Sequence, residues 1–165
     1  MICAVCGDVL LLPRKKLIPT KEGPAFCSAG CLRLHILTMP KLTNGELTLL
    51  GARKYVPSSP ADVYSPLLRT AFRSHFEKRV AEYLVEAFDG EVLYEPHVFE
   101  VGTNHRLYVP DFYIVDYGVW LEVKGEWRLG GKSKFTRAQE MLGPERLLLI
   151  PPAYEHWFPK NKAAA

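Results

Sequence analysis

Apolar residues recur at three- and four-residue steps over residues 67–88, at Phe72, Phe76, Val80, Leu84 and Ala87-Phe88. That spacing predicts an amphipathic helix, closed by Gly90 from just beyond its end. Glu77 lies about 60° around this helix from Val80, given a turn of about 100° per residue. It therefore flanks the apolar stripe and can look across a sheet edge, whereas Glu82 and Glu86 read as solvated charges. The pattern then shortens. Residues 92–95, 98–101 and 107–109 read as strands rich in β-branched and aromatic side chains, with a turn at Gly102-Thr103-Asn104-His105. Pro110 opens a strand over 111–115, Asp116-Tyr117-Gly118 turns it back, and 119–124 form the next strand, ended by Gly125. A basic stretch leads into a short helix around 135–142. The run Leu147-Leu148-Leu149-Ile150, stopped by Pro151-Pro152, predicts a buried central strand. The order is α-β-β-β-α-β.

The N-terminal third has a different character. Cys3, Cys6, Cys27 and Cys31 are the only cysteines, arranged as Cys-x2-Cys and Cys-x3-Cys around residues 7–26. Four thiolates suit tetrahedral Zn2+, and short spacings let two sulfurs from one turn reach the same ion. Gly7 permits the tight turn of a knuckle. Leu32, Leu34, Ile36 and Leu37 place the second pair at the start of a helix. Disulfides would need an oxidising compartment. A redox Cys-x-x-Cys would need one pair near a βαβ unit. His35 is an alternative ligand to Cys31. A closed four-sulfur site leaves no open position, so this zinc is expected to be structural. The segment resembles treble-clef-like zinc modules, in which a knuckle and a helix N-terminus share the metal. Residues 1–37 are thus a zinc-binding module and 38–66 a connector, with a turn at Thr43-Asn44-Gly45-Glu46 and an extended Pro57-Ser58-Ser59-Pro60. Residues 67–165 form the main domain.

Composition narrows the function. The 165 residues are 48% hydrophobic and 24% charged, ordinary globular values that exclude a disordered chain. The longest apolar runs, 9–12 and 147–150, are far short of a membrane span. No charged region precedes an apolar N-terminal stretch, so a cytoplasmic location is expected rather than export. The net charge of +3 fits a nucleic-acid partner without requiring one.

The chemistry lies in Pro110-Asp111 and Glu122-Val123-Lys124. Residues two apart on a strand share a face, so Glu122 and Lys124 point the same way. Asp111 sits on the preceding strand. Direct opposition of Asp111 and Glu122 needs an even loop, or a three-residue loop with a bulge at Gly118. Facing carboxylates repel and raise one pKa unless a cation compensates, and hard oxygen ligands suit Mg2+ or Mn2+.

With Glu77 on the preceding helix, this conjunction resembles the PD-(D/E)xK nucleases over residues 67–150. It is closer still to the phage endonuclease I group of Holliday-junction resolvases. The residues that carry the resemblance are Ser74-His75-Phe76-Glu77-Lys78-Arg79-Val80, Tyr94-Glu95-Pro96, Tyr108-Val109-Pro110-Asp111-Phe112 and Leu121-Glu122-Val123-Lys124-Gly125-Glu126-Trp127. The zinc module has no place in the simplest members. The resemblance implies an α/β fold: an αβββαβ restriction-endonuclease-like core behind a small N-terminal zinc module with four cysteine ligands. It implies Mg2+ or Mn2+ on Asp111 and Glu122, with Glu77 helping directly or through water, and a metal-bound water attacking the phosphodiester. Lys124 would orient or deprotonate that water or stabilise the developing charge. Arg14, Lys15, Lys16, Arg69, Arg73, Lys78, Arg79, Lys132 and Lys134 are candidate DNA phosphate contacts, and Trp127 either stacks on DNA or packs. The expected protein is a metal-dependent endonuclease acting on branched DNA, a homodimer, in a host cytoplasm if phage-encoded. The alternatives are a mismatch-, transposon-end- or sequence-directed nuclease guided by the zinc module, and a non-cleaving DNA-binding adaptor.

Overall fold

A computed structural model describes residues 1–10, 23–41, 53–54, 61–127 and 130–158. The expected turn at 43–46, the segment 57–60 and the basic residues Arg14, Lys15 and Lys16 lie outside the described residues. Helix α1 spans Ala29–Leu37, α2 His75–Ala87 and α3 Gly131–Leu142. The strands are β1 Arg53–Lys54, β2 Val63–Ser65, β3 Thr70–Phe72, β4 Val92–Tyr94 and β5 His97–Val101. They continue with β6 Arg106–Tyr108, β7 Phe112–Ile114, β8 Val119–Val123 and β9 Leu147–Ile150. The fold is mixed α/β.

Helix α2 starts later than its apolar spacing predicts. Residues 63–72 form the β2–β3 hairpin instead, with Arg69 left-handed at φ 51° in its turn. Ser74 sets the true start: its Oγ accepts from the Glu77 N–H at 3.1 Å and donates to Glu77 Oε1 at 2.9 Å. Ser-x-x-Glu is the sequence signature of such a capped start, and here it outweighs the periodicity. Phe72, read as helical, reaches the same core from β3. The helix ends because Phe88 turns extended. Gly90 acts differently from the expected cap: a side chain there would meet the Asp116 carboxyl at 3.0 Å. Glu82, read as solvated, is buried and accepts from Ser65 Oγ at 2.6 Å.

The main sheet has the order β4-β7-β8-β9, antiparallel except for the parallel β8–β9 pair. Its alternation serves two cores. Phe112, Ile114, Val119, Leu121 and Val123 pack with α1 and α2, while Tyr113 and Trp120 pack with α3, Phe99 and Tyr108. Strand β9 is buried as expected but lies at the end of the described sheet, not its centre. Gln139 of α3 donates to Leu147 O at 2.9 Å, and Ala153, Tyr154 and Phe158 fold back into the adjoining core. Strands β5 and β6 leave the main sheet and pair with each other, and β5 also pairs with β1. Among the described residues, no helix is long and apolar enough to cross a membrane.

The N-terminal segment shares the core of the rest. Phe26, Ala29, Leu32 and Ile36 join Phe76, Leu84, Tyr154 and Phe158 in one cluster. Tyr83 donates to Ala29 O at 3.0 Å, and Arg33 Nε donates to Ala87 O at 2.7 Å, satisfying a carbonyl at the end of α2. Phe26 is 1% exposed and its cluster includes Phe76, Leu84, Tyr154 and Phe158 of the main domain. Phe26→Ala should therefore destabilise the whole zinc-loaded chain by about 3–5 kcal/mol, read from its denaturant midpoint. A loss confined to the N-terminal segment, with the main transition unmoved, would contradict this shared core.

Candidate functional site

The cysteine cluster is built from two local motifs. Cys3 N–H donates to Asp8 O at 2.9 Å and Gly7 N–H to Cys3 O at 3.1 Å, closing a tight turn with Gly7 at φ 78°. A main-chain bond from Ala4 to Ala25, 2.8 Å, brings the second pair alongside. Ser28 caps α1 by accepting from the Cys31 N–H at 3.1 Å, which places Cys31 in the first helical turn. The sulfurs of Cys6 and Cys27 are 3.4 Å apart, Cys27 and Cys31 3.4 Å, and Cys31 and Cys6 3.9 Å. All four lie within 4.8 Å of one another. A tetrahedral zinc with sulfurs at about 2.3 Å requires edges near 3.8 Å, so the donor set fits. His35 packs its ring against Phe26 at 5.2 Å, outside this cluster, leaving Cys31 as the fourth sulfur.

The thiols titrate unequally. Burial alone would raise Cys3, but main-chain N–H groups of Cys6, Val5 and Cys27 outweigh it and hold the thiol at about 6. The Asp8 N–H favours a Cys6 thiolate, yet the Asp8 carboxylate and the neighbouring thiols push Cys6 up to about 11. Cys27 is raised first by Cys31; at Cys31 the Ser28 hydroxyl and Cys27 favour the thiolate, but burial and the Cys3 and Cys6 thiols leave it raised. Zinc must displace these protons.

The second site gathers where β7 and β8 end. Their pairing runs from Ile114 with Val119 to Phe112 with Leu121, and Asp111 and Glu122 are the next positions in that register. The loop between has four residues, one more than the sequence reading allowed. Val115 leaves the strand for a 3-10 turn, and Gly118, at φ 60°, closes it by donating to Val115 O at 3.2 Å. The count is even and no bulge is needed. Asp111 Oδ2 accepts from the Val123 N–H at 2.6 Å, and Glu122 Oε2 accepts from Tyr108 OH at 2.6 Å. Lys124 Nζ pairs with Glu122 Oε1, while its N–H donates to Ile150 O at 3.0 Å. Glu77 Oε2 accepts from Tyr94 OH at 2.6 Å and from the Arg73 N–H at 3.2 Å.

Burial is severe here: Asp111 is 8% exposed and Glu122 2%. Burial, reinforced by the Glu122 charge, raises Asp111 well above its usual range. Burial raises Glu122 too, opposed by Lys124 and Tyr108. Burial would lower Lys124, but the charges of Glu122, Asp111 and Glu77 outweigh it and raise the ammonium. These four residues are thus one electrostatic unit. Among the described residues, however, the four sulfurs are the one set of three or more metal-binding groups whose ligand atoms all converge within 4.8 Å. The carboxylates are grouped more loosely, each held by its own donor.

Three residues that the sequence resemblance included, but to which it gave no role, also take part. Tyr94 and Tyr108 each donate to a carboxylate of the group. Glu95 continues the β4–β7 register beside Asp111, and its N–H donates to Asp111 O at 2.7 Å. It is buried, left-handed at φ 44°, and pairs with Arg73 at 2.9 Å. Burial raises its carboxyl, which Arg73 opposes and Glu77 and Glu122 reinforce. The period-two register could have revealed it, since Glu95, Asp111 and Glu122 end three neighbouring strands.

The candidate phosphate contacts separate. Arg79 is buried, pairs with Glu155 and packs over Phe76 at 5.9 Å, so it holds the C-terminal turn and does not face an outside ligand. Lys78 lies 3.8 Å from Glu82, and Lys134 Nζ donates to Leu107 O at 3.3 Å. Arg69 is exposed in the β2–β3 turn. Lys132 is exposed beside an open depression of about 610 Å³, with Ser133, Thr136 and Arg137. Trp127 packs against Phe135 at 5.6 Å and lies 5.8 Å from Lys124 Nζ. No protein-family model, curated protein or solved structure matches the chain.

Metal analysis of the purified chain should find about one zinc, the stoichiometry of a single four-sulfur site. Its affinity should fall as pH drops through neutrality, because Cys6, Cys27 and Cys31 hold their protons tightly. A pH-independent affinity would contradict that protonation pattern.

Asp111 gives a second expectation. Folded, it keeps its proton to a higher pH than the ordinary 3.8. Over that interval the folded state binds more protons, so stability falls as pH rises. Asp111→Asn keeps an acceptor for Val123 and removes this loss. In zinc-loaded protein without added Mg2+ or Mn2+, the variant should melt several degrees higher than the parent at pH 7. The gap should close toward pH 4, measured by thermal scans across pH.

Proposed function

We propose that this chain is a Mg2+- or Mn2+-dependent DNA endonuclease of the PD-(D/E)xK kind, acting on branched DNA. The observation that carries the reading is the opposition of Asp111 and Glu122 at a buried strand end, with Lys124 on the same carboxylate. Like charges directly opposed weaken a sheet, and one ammonium leaves a carboxylate uncompensated. Hard oxygen donors in that position suit a divalent cation of the Mg2+ class. The succession α2, β4, β7, β8, α3, β9 supports the same reading. With β5 and β6 taken as an inserted hairpin, it agrees with the αβββαβ order expected of a restriction-endonuclease-like core.

Each side chain then has a part. Asp111 and Glu122 hold the cation, with Glu77 beside them. The Val123 N–H and the Tyr108 hydroxyl pin one oxygen of each ligand in advance, which removes reorganisation from the binding step. When bound, the cation supplies Lewis acidity at the phosphate and lowers the pKa of its water. Lys124 is kept protonated by the surrounding carboxylates, so we assign it charge stabilisation at the phosphate in preference to proton abstraction. Its side chain is 27% exposed, enough to reach an outside ligand. Lys132 and Arg69 supply phosphate contacts. The cysteine cluster, with no open position, folds the N-terminal segment and does no chemistry. A homodimer presenting two such clefts at fixed separation would engage two duplex arms of a junction at once, while linear DNA fills one.

Asp111→Asn and Glu122→Gln should each lower Mg2+-dependent DNA cleavage by at least about 100-fold, more than the loss usual for outer-shell partners, while DNA binding survives. Lys124→Ala should cost about 10²–10³-fold, the usual loss for one group that stabilises developing charge. Wild-type cleavage by Glu122→Gln in a gel assay would remove the site assignment. Competition binding at fixed ionic strength should favour a four-way junction over linear DNA of equal length and sequence. Equal affinity and equal cutting would leave a nuclease without junction preference. Binding without cleavage of any DNA in Mg2+ or Mn2+ would instead indicate the adaptor.

A further inference from the structure

Glu95 combines three features that folding alone does not favour. Its backbone is left-handed at φ 44°, though it carries a side chain and precedes Pro96, which narrows its conformations further. Its side chain is 2% exposed, unusual for a carboxylate. By register it stands in a row with Asp111 and Glu122, across β4, β7 and β8. Backbone outliers of this kind collect where a functional site holds them in place.

Its contacts show what it connects. Arg73 Nη2 holds Glu95 Oε2 at 2.9 Å. The main-chain N–H of Arg73 meets Glu77 Oε2 and Tyr94 OH, each at 3.2 Å, and Tyr94 OH itself donates to Glu77. On the other side, the Glu95 N–H donates to Asp111 O at 2.7 Å. One ion pair therefore bridges the capped start of α2, which carries Glu77, and the entry to β7, which carries Asp111.

We infer that Glu95 and Arg73 are a positioning pair that sets Glu77 against Asp111 and Glu122 for divalent-cation binding. This rests on the nuclease reading of that site. It differs in sign from two simpler roles. Were Glu95 only a source of negative potential, or a cation ligand masked by Arg73, removing the Arg73 charge would tighten cation binding. For a positioning pair, losing either partner weakens it.

The test is Mn2+ titration of the full zinc-loaded chain by calorimetry, alongside DNA cleavage by the wild type. Glu95→Gln and Arg73→Met should each weaken Mn2+ binding by about 10-fold or more, the usual effect of losing an outer-shell partner. The double variant should lose little beyond the larger single loss, as coupled residues do. Arg73→Lys, which keeps the charge, should recover part of the affinity. Circular dichroism checks that each variant is folded. Unchanged Mn2+ affinity in the nearly isosteric Glu95→Gln overturns the pair even if Arg73→Met fails to fold. Tighter binding by Arg73→Met overturns it as well. Either result, in a wild type that binds Mn2+ and cuts DNA, leaves the nuclease reading intact. A wild type that neither binds Mn2+ nor cuts removes that reading and the pair together.

Discussion

Two carboxylates set opposite each other at a buried strand end constrain much of what surrounds them. Asp111 and Glu122 cannot both be charged in so dry a place without help, and their neighbours are arranged accordingly. Lys124 lies two positions along the same strand, the Tyr108 hydroxyl arrives from β6, and the Val123 amide turns toward Asp111. The β5–β6 excursion has its reason here. Leaving the main sheet after Glu95 and returning at Asp111, it carries Tyr108 over the face on which Glu122 lies. The same excursion supplies Phe99 and Val101 to the second core under α3. The polar group and the apolar layer beside it are thus held by one hairpin.

Much of this was legible in the chain. Period two put Glu122 and Lys124 on one face, because register decides which side chains share a face, while the place of Asp111 opposite them depended on a loop count that the sequence left open. The cysteine spacing was enough for the metal cluster, because short pairs fix the local turns. Other features escaped for physical reasons. The apolar period could not separate a helix residue from a strand residue feeding the same core, so Phe72 was placed on the wrong element. The loop count was off by one because Val115 has a strand former's side chain but a turn's backbone. Arg79 and Glu82 were read as surface charges, since their partners, Glu155 and Ser65, are distant in sequence. Glu95 was included in the resemblance but given no role, because left-handed backbone at a non-glycine residue leaves little local signature.

The relation between the cysteine cluster and the main core follows the same economy of parts. A segment of this size does not bury enough apolar surface to stand alone. A metal on the four sulfurs would supply local order, and Phe26, Leu32 and Ile36 share the core of α2 and the C-terminal turn. Arg33 and Tyr83 close the seam with hydrogen bonds to main-chain carbonyls. The orientation of the cluster relative to the acidic site is consequently set by packing on both sides of α2 and not by a hinge among these residues.

The contact between Phe26 and Tyr154 spans 128 positions of the chain, and that distance imposes an order of events during synthesis. The cysteine segment leaves the ribosome early and can take up its ion at once. Its apolar face must then wait in water, or on a chaperone, while the residues that will cover it are still being added at a few per second. Long-range closure of this kind slows folding. It also means that β7 and β8 exist as chain before Ala153, Tyr154 and Phe158 complete the core they share. Newly made protein therefore passes through an interval in which all four cysteines are present but the C-terminal turn that packs with Phe26 is not.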